Sequence, residues 1–330
     1  MSHYPAFRIH QDESGHHAGI ETLTTPEPGA DEVLIRLAYS SVNYKDALAG
    51  TGRGKILRTF PLVGGIDAAG QVVRSNDPAF QPGDAVIVTG RGLSFDHDGG
   101  YAGYLCVPGD WVVPMPAGLD VRSAMILGTA GFTAAIAVHR MLANDQHPDL
   151  GPILVNGASG GVGSIAVAIF ARLGFEVVAI SGKPEHADWL KGLGASRILG
   201  RDALADARRP LEKAQWGGAV DNVGGEMLAQ LTRTIVPGGN IAAIGLAGGP
   251  ELVTTVMPFI LRGIGLLGCN SGETPRALRH RLWQHLASDW QPPDLEALVS
   301  ATIGLDGLAD TFEQMLAGQT HGRILVRLED

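Results

Sequence analysis

Gly157, Gly160, Gly161 and Gly163 form the pattern G-x-x-G-G-x-G between an apolar run, Ile153-Leu-Val-Asn156, and an alanine-rich segment ending at Leu173-Gly174. Strand, glycine turn and helix in that order present backbone N–H groups to a phosphate. Gly157 permits the tight turn, Gly160 and Gly161 leave room for a pyrophosphate, and Gly163 lets the helix lie close on the sheet. A second strand, Glu176 to Ile180, closes the βαβ unit. At its end an NAD site usually carries an acid for the adenosine ribose. Here the chain reads Ser181-Gly182-Lys183, and no carboxylate comes before Glu185. A hydroxyl, a free backbone and a lysine hold a 2′-phosphate that an acid would repel, and Arg201, at the end of the third strand, can reach the same place. The reading is an NADP(H) site. Its alternative is a glycine-rich turn that binds nothing, with Lys183 a solvated loop charge.

Composition narrows the class. The 330 residues exceed the usual size of one hydrophobic core, so two domains are expected. A net charge of −9 argues against a nucleic-acid surface. No window of about eighteen uninterrupted apolar residues is present, so no membrane span is expected. The N-terminus lacks a signal pattern. Cys106 and Cys269 are the only cysteines and form no C-x-x-C. That fits a reducing cytoplasm and leaves no disulfide framework. His10, His16 and His17 read as a solvated loop group rather than a metal site.

The elements that must position these residues follow from the pattern. Residues 1 to about 120 read as β-rich, with strands at Glu32 to Tyr39, Gly70 to Arg74, Asp84 to Thr89 and Gly99 to Val107. Gln81-Pro-Gly-Asp84 is a turn. Val121 to Leu142 is apolar at helical spacing, with a break expected at Gly128 and Gly131. Strands then alternate with helices at 153–156, 176–181, 197–199, 218–223, 239–246 and 264–270. This predicts an α/β fold with a doubly wound parallel Rossmann sheet. Thr274-Pro275 reads as a helix start, with Thr274 the N-cap, and His321 to Arg327 as a last strand. The expected division is a discontinuous β-rich domain, 1–122 with 273–330, and a nucleotide domain, 123–272, with the active site in the cleft between them.

This organisation resembles the medium-chain dehydrogenase/reductase superfamily over nearly the whole chain. Four strings resemble the acrylyl-CoA reductases in particular, a zinc-free branch often labelled putative quinone oxidoreductase. They are Ser40-Ser-Val-Asn-Tyr-Lys-Asp-Ala-Leu48, Phe60-Pro-Leu-Val-Gly-Gly-Ile-Asp-Ala-Ala-Gly70, Met125-Ile-Leu-Gly-Thr-Ala-Gly-Phe-Thr-Ala134 and Thr254-Thr-Val-Met-Pro-Phe-Ile-Leu-Arg262. The resemblance makes the first domain GroES-like. Asn43-Tyr44 and Ile66-Asp67 stand where zinc branches carry ligands, and two cysteines with no spaced histidine do not make a zinc site.

The resemblance implies an enzyme that reduces acrylyl-CoA to propionyl-CoA with NADPH. A hydride adds to the β-carbon, charge develops on the thioester oxygen, and the α-carbon is protonated. Tyr44 is the candidate catalytic residue and a nicotinamide contact; the alternative is a tyrosine that only shapes the pocket. Asn43 and Asp67 are weaker candidates. Ser159, Gly160, Gly161 and Val162 are implied at the pyrophosphate, and Ser181, Gly182, Lys183 and Arg201 at the 2′-phosphate. Leu246, Ile260, Ser271 and Arg323 are implied as further cofactor contacts, Arg323 reaching across the cleft. Plain core for Ile260 and a surface salt bridge for Arg323 are their alternatives. Arg53, Lys55 and Arg58 form a basic run that could meet CoA phosphates or simply face solvent. Two other functions stay open: quinone or enone reduction without a CoA grip, and a non-catalytic cofactor-binding protein, as a lens crystallin of the superfamily shows. An apolar edge strand at 264–270 suggests a homodimer.

Overall fold

The computed structural model describes residues 2–329. The chain forms two compact units, one of residues 1–129, 272–287 and 298–330, the other of 130–271 and 288–297. The division falls at Thr129/Ala130, later than residue 122, and residues 288–297 join the nucleotide unit.

The first unit opens with a hairpin, β1 (His3–Asp12) and β2 (Gly15–Thr24), paired antiparallel with His10 opposite His17. Gly15 turns it with φ of 99°. The histidine group therefore lies on paired strands and not in a loop. The His10 and His17 rings stack at 4.8 Å, and His16 makes a hydrogen bond to the Ala49 carbonyl at 3.1 Å. There follow β3 (Glu32–Val42), α1 (Tyr44–Gly50), β4 (Leu62–Val63), β5 (Asp67–Ser75), β6 (Ala85–Thr89), β7 (Tyr104–Pro108) and β8 (Val113–Pro114). Strand β7 starts later than expected. A Cβ at Gly99 would sit 2.2 Å from the Gly65 carbonyl oxygen, and one at Gly100 1.9 Å from that of Asp67. These two glycines cross the backbone closely instead of joining the ladder.

Helix α2 (Val121–Ala143) runs from the first unit into the second and is broken at Gly128, whose φ of 50° and ψ of −154° are not helical. It is long and apolar enough to cross a membrane by length and composition, but 78% of its apolar window is buried inside the fold.

The second unit holds β9 (Ile153–Val155), α3 (Gly161–Arg172), β10 (Val177–Ile180), α4 (Ala187–Gly192), β11 (Arg197–Leu199), β12 (Trp216–Asp221), α5 (Gly225–Thr234), β13 (Ile235–Ala243), α6 (Met257–Leu261) and β14 (Gly265–Gly268). The sheet order is β11-β10-β9-β12-β13-β14, all parallel. The order reverses between β9 and β12, which is where open α/β sheets bind ligands. Leu154, Val178, Ile180, Ala219, Leu231 and Ile241 build its core. Their runs are apolar on both faces because helices cover both sides.

The chain returns to the first unit through α7 (Arg276–Leu286), and later through β15 (Val299–Ile303), α8 (Leu308–Leu316) and β16 (Arg323–Arg327). Pro275, not Thr274, occupies the N-cap position of α7. The main sheet runs β15-β16-β3-β5-β6-β8, with β7 also paired to β3. Val33, Ile35 and Leu37 alternate into one core with Val86, Val88 and Leu105. Val42, Ala47, Phe312, Ile324 and Val326 pack in another with Phe7 and Tyr101.

Candidate active site

In the first unit the site is built on Asp67, the first residue of β5, which is fully buried. A buried carboxylate needs donors, and four converge here. Oδ2 accepts Ser41 Oγ at 2.6 Å and Asn43 Nδ2 at 2.8 Å. Oδ1 accepts Thr129 N at 2.9 Å and Thr129 Oγ1 at 2.6 Å. The break in α2 makes the Thr129 bonds possible. A Cβ on Gly128 would lie 2.6 Å from Asp67 Oδ2, 2.8 Å from Ser41 Oγ and 3.0 Å from Arg323 Nη2, so only glycine fits.

Arg323 makes no surface salt bridge. It is 2% exposed. Nε donates to the Ile126 carbonyl at 2.8 Å, Nη2 to Ser41 Oγ at 2.7 Å, and Nη1 to Asn43 Oδ1 at 3.3 Å. Nη2 stands 3.8 Å from Asp67 Oδ2. The inward side of β16 and the buried carboxylate explain this placement: the charge is held where a countercharge already lies.

Asn43 links this cluster to α1. It is the N-cap, and its backbone N–H donates to Asp46 Oδ2 at 2.9 Å. Its side-chain nitrogen also reaches Asp46 Oδ2, at 3.1 Å, and Ile66 N donates to Asp46 Oδ1 at 3.0 Å. This is the capping arrangement expected three residues into a helix. Burial, and then repulsion from Asp67, push the Asp46 carboxyl up to about 7 against those hydrogen bonds. Tyr44 is therefore the first residue of a short helix whose start is tied down from both sides. Tyr44 is 49% exposed.

The zinc implied by the wider fold family does not fit here. Asp67 is already saturated by four hydrogen bonds and faces a guanidinium. Metal-binding cysteines must be thiolates. Burial, and next the Glu32 carboxylate, push Cys106 up to about 12. Burial pushes Cys269, in the other unit, up to about 11. Among the described residues no three His, Cys, Asp or Glu side chains are grouped as a metal requires.

The second unit carries the dinucleotide residues. Gly157 turns at φ of 57°. A Cβ on Gly163 would lie 2.4 Å from the Gly157 carbonyl oxygen, so the first turn of α3 packs on the glycine turn as a nucleotide cradle requires. Gly160 is the N-cap of α3, and Gly161 and Val162 open the helix, with their N–H groups at its positive end. Ser159 and Ser181 are buried and their hydroxyls lie 3.4 Å apart. Lys183 N donates to Ser181 Oγ at 3.1 Å. Arg201 lies over Gly182, where a Cβ would be 2.0 Å from its Nε. Burial lowers the Lys183 ammonium; Glu185 opposes this and Arg201 adds to it. Two cations are thus gathered with two serines beside one glycine, a set of donors of the kind that binds phosphate.

Leu246 and Ile260 are 68% and 72% exposed, so Ile260 is not a core residue. Ser271 follows β14 at the end of the unit and is half-buried. The sequence reading missed a buried knot at the point where the strand order reverses. Asn156 donates to Asp221 Oδ1, Gly224 N donates to Asp221 Oδ2 at 2.9 Å, and Asn222 N donates to Asn156 Oδ1 at 2.6 Å. An Asn ending one strand and an Asp ending the next but two were its only signal.

Known proteins resemble the chain over most of its length. Residues 161–288 match the family described as zinc-binding dehydrogenase, and residues 29–117 the alcohol dehydrogenase GroES-like domain. The chain is 47% identical to the putative quinone oxidoreductase YhfP of Bacillus subtilis, over 94% of each chain. It is 45% identical to the acrylyl-CoA reductase AcuI of Ruegeria pomeroyi, over 96% of each. The crystal structure of Escherichia coli YhdH with bound NADPH superposes with a TM-score of 0.94 at 45% identity, covering 98% of this chain and 100% of that one. That of B. subtilis YhfP with NAD bound gives 0.95 at 44% identity, covering 99% and 100%. The chain belongs to the medium-chain dehydrogenase/reductase family, with a GroES-like and a Rossmann-like domain, in the branch of the acrylyl-CoA reductases and putative quinone oxidoreductases.

Proposed function

We propose that the protein is an NADPH-dependent reductase of the C=C bond of acrylyl-CoA, giving propionyl-CoA. The likeness to acrylyl-CoA reductases over nearly the full length supports the substrate. The chemistry rests on one observation: half-exposed Tyr44 opens α1 directly after Asn43, whose side chain is tied to a buried carboxylate that Arg323 faces.

The cofactor is NADP(H), held by Ser159, Gly160, Gly161 and Val162 at the pyrophosphate and by Ser181, Gly182, Lys183 and Arg201 at the 2′-phosphate. When bound it supplies a hydride to the β-carbon. Leu246, Ile260, Ser271 and Arg323 remain our assignments as further cofactor contacts, Leu246 at the nicotinamide half. Arg323 also holds Asn43 and Asp67 in place, and Tyr44 keeps its place as a nicotinamide contact.

Tyr44 donates a hydrogen bond to the thioester oxygen as negative charge develops there, and the enolate then takes a proton from water at the α-carbon. Asn43 and Asp46 fix its backbone. Placing the donor on a tied helix start means that little reorganisation is needed as the charge forms.

A second reading, reduction of quinones or enones without a CoA grip, is favoured by the name of the Bacillus subtilis relative. Steady-state comparison of acrylyl-CoA, a free enone and a quinone separates the two. The proposal requires the highest kcat/KM for the thioester; a higher value for the quinone reverses the order. The edge position of β14 and the exposed Val253, Val256 and Leu261 support a homodimer. Light scattering at a protomer's mass removes that part.

A further inference from the structure

We propose that Lys45 and Arg58, gathered on the ring of Phe95, form the handle for the phosphate groups of the coenzyme A carrier. This rests on the acrylyl-CoA reading above. The basic run of the loop after α1 does not act as one patch. Arg53 is spent on Glu313, with Nη2 at 3.0 Å and 2.7 Å from its two carboxylate oxygens. Arg58 goes elsewhere. Its guanidinium lies 4.2 Å from the centroid of the Phe95 ring, and Lys45 Nζ lies 5.2 Å from the same centroid.

The platform is built. The Arg58 N–H donates to the Phe95 carbonyl at 2.6 Å, and Phe95 N donates to Gly92 O at 3.1 Å. The aromatic face holds each cation, but a neutral ring cannot cancel two positive charges. Among the described residues neither cation has a carboxylate within ion-pair distance. Asp46, next to Lys45 in sequence, is buried and spent on Asn43 and Ile66. Asp96, next to Phe95, is exposed and pairs with neither. Two exposed, uncompensated cations on one rigid ring, in a chain of net charge −9, are a local site for a dianionic or diphosphate group. Lys45 follows Tyr44 directly in α1. The handle therefore stands on the same helix as the candidate oxyanion donor.

The test compares acrylyl-CoA with acrylyl-N-acetylcysteamine, the same thioester without phosphates, in wild type, Lys45→Gln, Arg58→Gln and Arg53→Gln. The readout is the ratio of KM for the CoA thioester to KM for the truncated one. The ratio should rise about tenfold in each of the first two variants, the loss of one charge-assisted contact. It should stay at the wild-type value in Arg53→Gln. In wild type the ratio should also rise with ionic strength, since exposed charges are screened. A ratio unmoved in both Lys45→Gln and Arg58→Gln overturns the handle while the acrylyl-CoA reading stands. A wild-type enzyme that reduces neither thioester overturns that reading and the handle with it.

Discussion

The side-chain amide of Asn43 donates to Asp67 at 2.8 Å, joining the helix start that carries Tyr44 to a carboxylate that Arg323 and Thr129 hold from the other side. Positioning of the candidate oxyanion donor and stability of the first unit thus share one buried cluster, and each can be perturbed separately.

Asp67→Ala removes the acceptor of four hydrogen bonds and leaves the Arg323 guanidinium buried without its countercharge. Loss of one partner of a buried pair costs about 3–5 kcal/mol. The urea midpoint of unfolding should fall accordingly. A midpoint within error of wild type removes Asp67 from the framework.

Stability should depend on pH through Asp46. Its carboxyl is raised from 3.8 to about 7 in the folded protein, so the folded state keeps a proton that the unfolded state has lost. The contribution is full below about pH 4, is lost as pH rises toward 7, and is flat above that. Between pH 5 and pH 8 the wild type should lose on the order of 3 kcal/mol relative to Asp46→Asn, whose side chain does not titrate. Denaturation profiles of the two proteins that run parallel across this window contradict the shift.

Tyr44→Phe should lower kcat by about 10²–10³, the worth of one oxyanion donor, with the NADPH dissociation constant unchanged within about threefold. Full turnover by the variant confines Tyr44 to shaping the pocket.

Lys183→Ala and Arg201→Ala should each raise KM for NADPH about tenfold and leave KM for NADH nearly unmoved, since only the 2′-phosphate is released. Equal changes for both nucleotides would place these residues outside the phosphate pocket.

Much of this architecture was legible in the chain because local patterns sufficed. The glycine turn at Gly157–Gly163 and the apolar runs that became β9 to β14 announce themselves within short windows. The β1–β2 hairpin did not, because β2 mixes histidines, an acid and glycines with little burial and Pro5 sits inside β1. The cluster around Asp67 was hidden for another reason. Its partners at Ser41, Asn43, Thr129 and Arg323 are far apart in the chain, and only the fold brings them together. Arg323 shows the consequence: only the fold reveals that a cation on the last strand faces a buried carboxylate. The split of the basic loop between Glu313 and Phe95 was equally unreadable, since Arg53 and Glu313 lie 260 residues apart.

The central claim is tested most directly by incubating the purified protein with acrylyl-CoA and NADPH, or with acrylyl-CoA and NADH, and measuring propionyl-CoA. The account predicts one propionyl-CoA per NADPH oxidised, with kcat/KM for NADPH at least about tenfold above that for NADH, the worth of a single phosphate contact. NADPH oxidation without propionyl-CoA, or a preference for NADH, would contradict it.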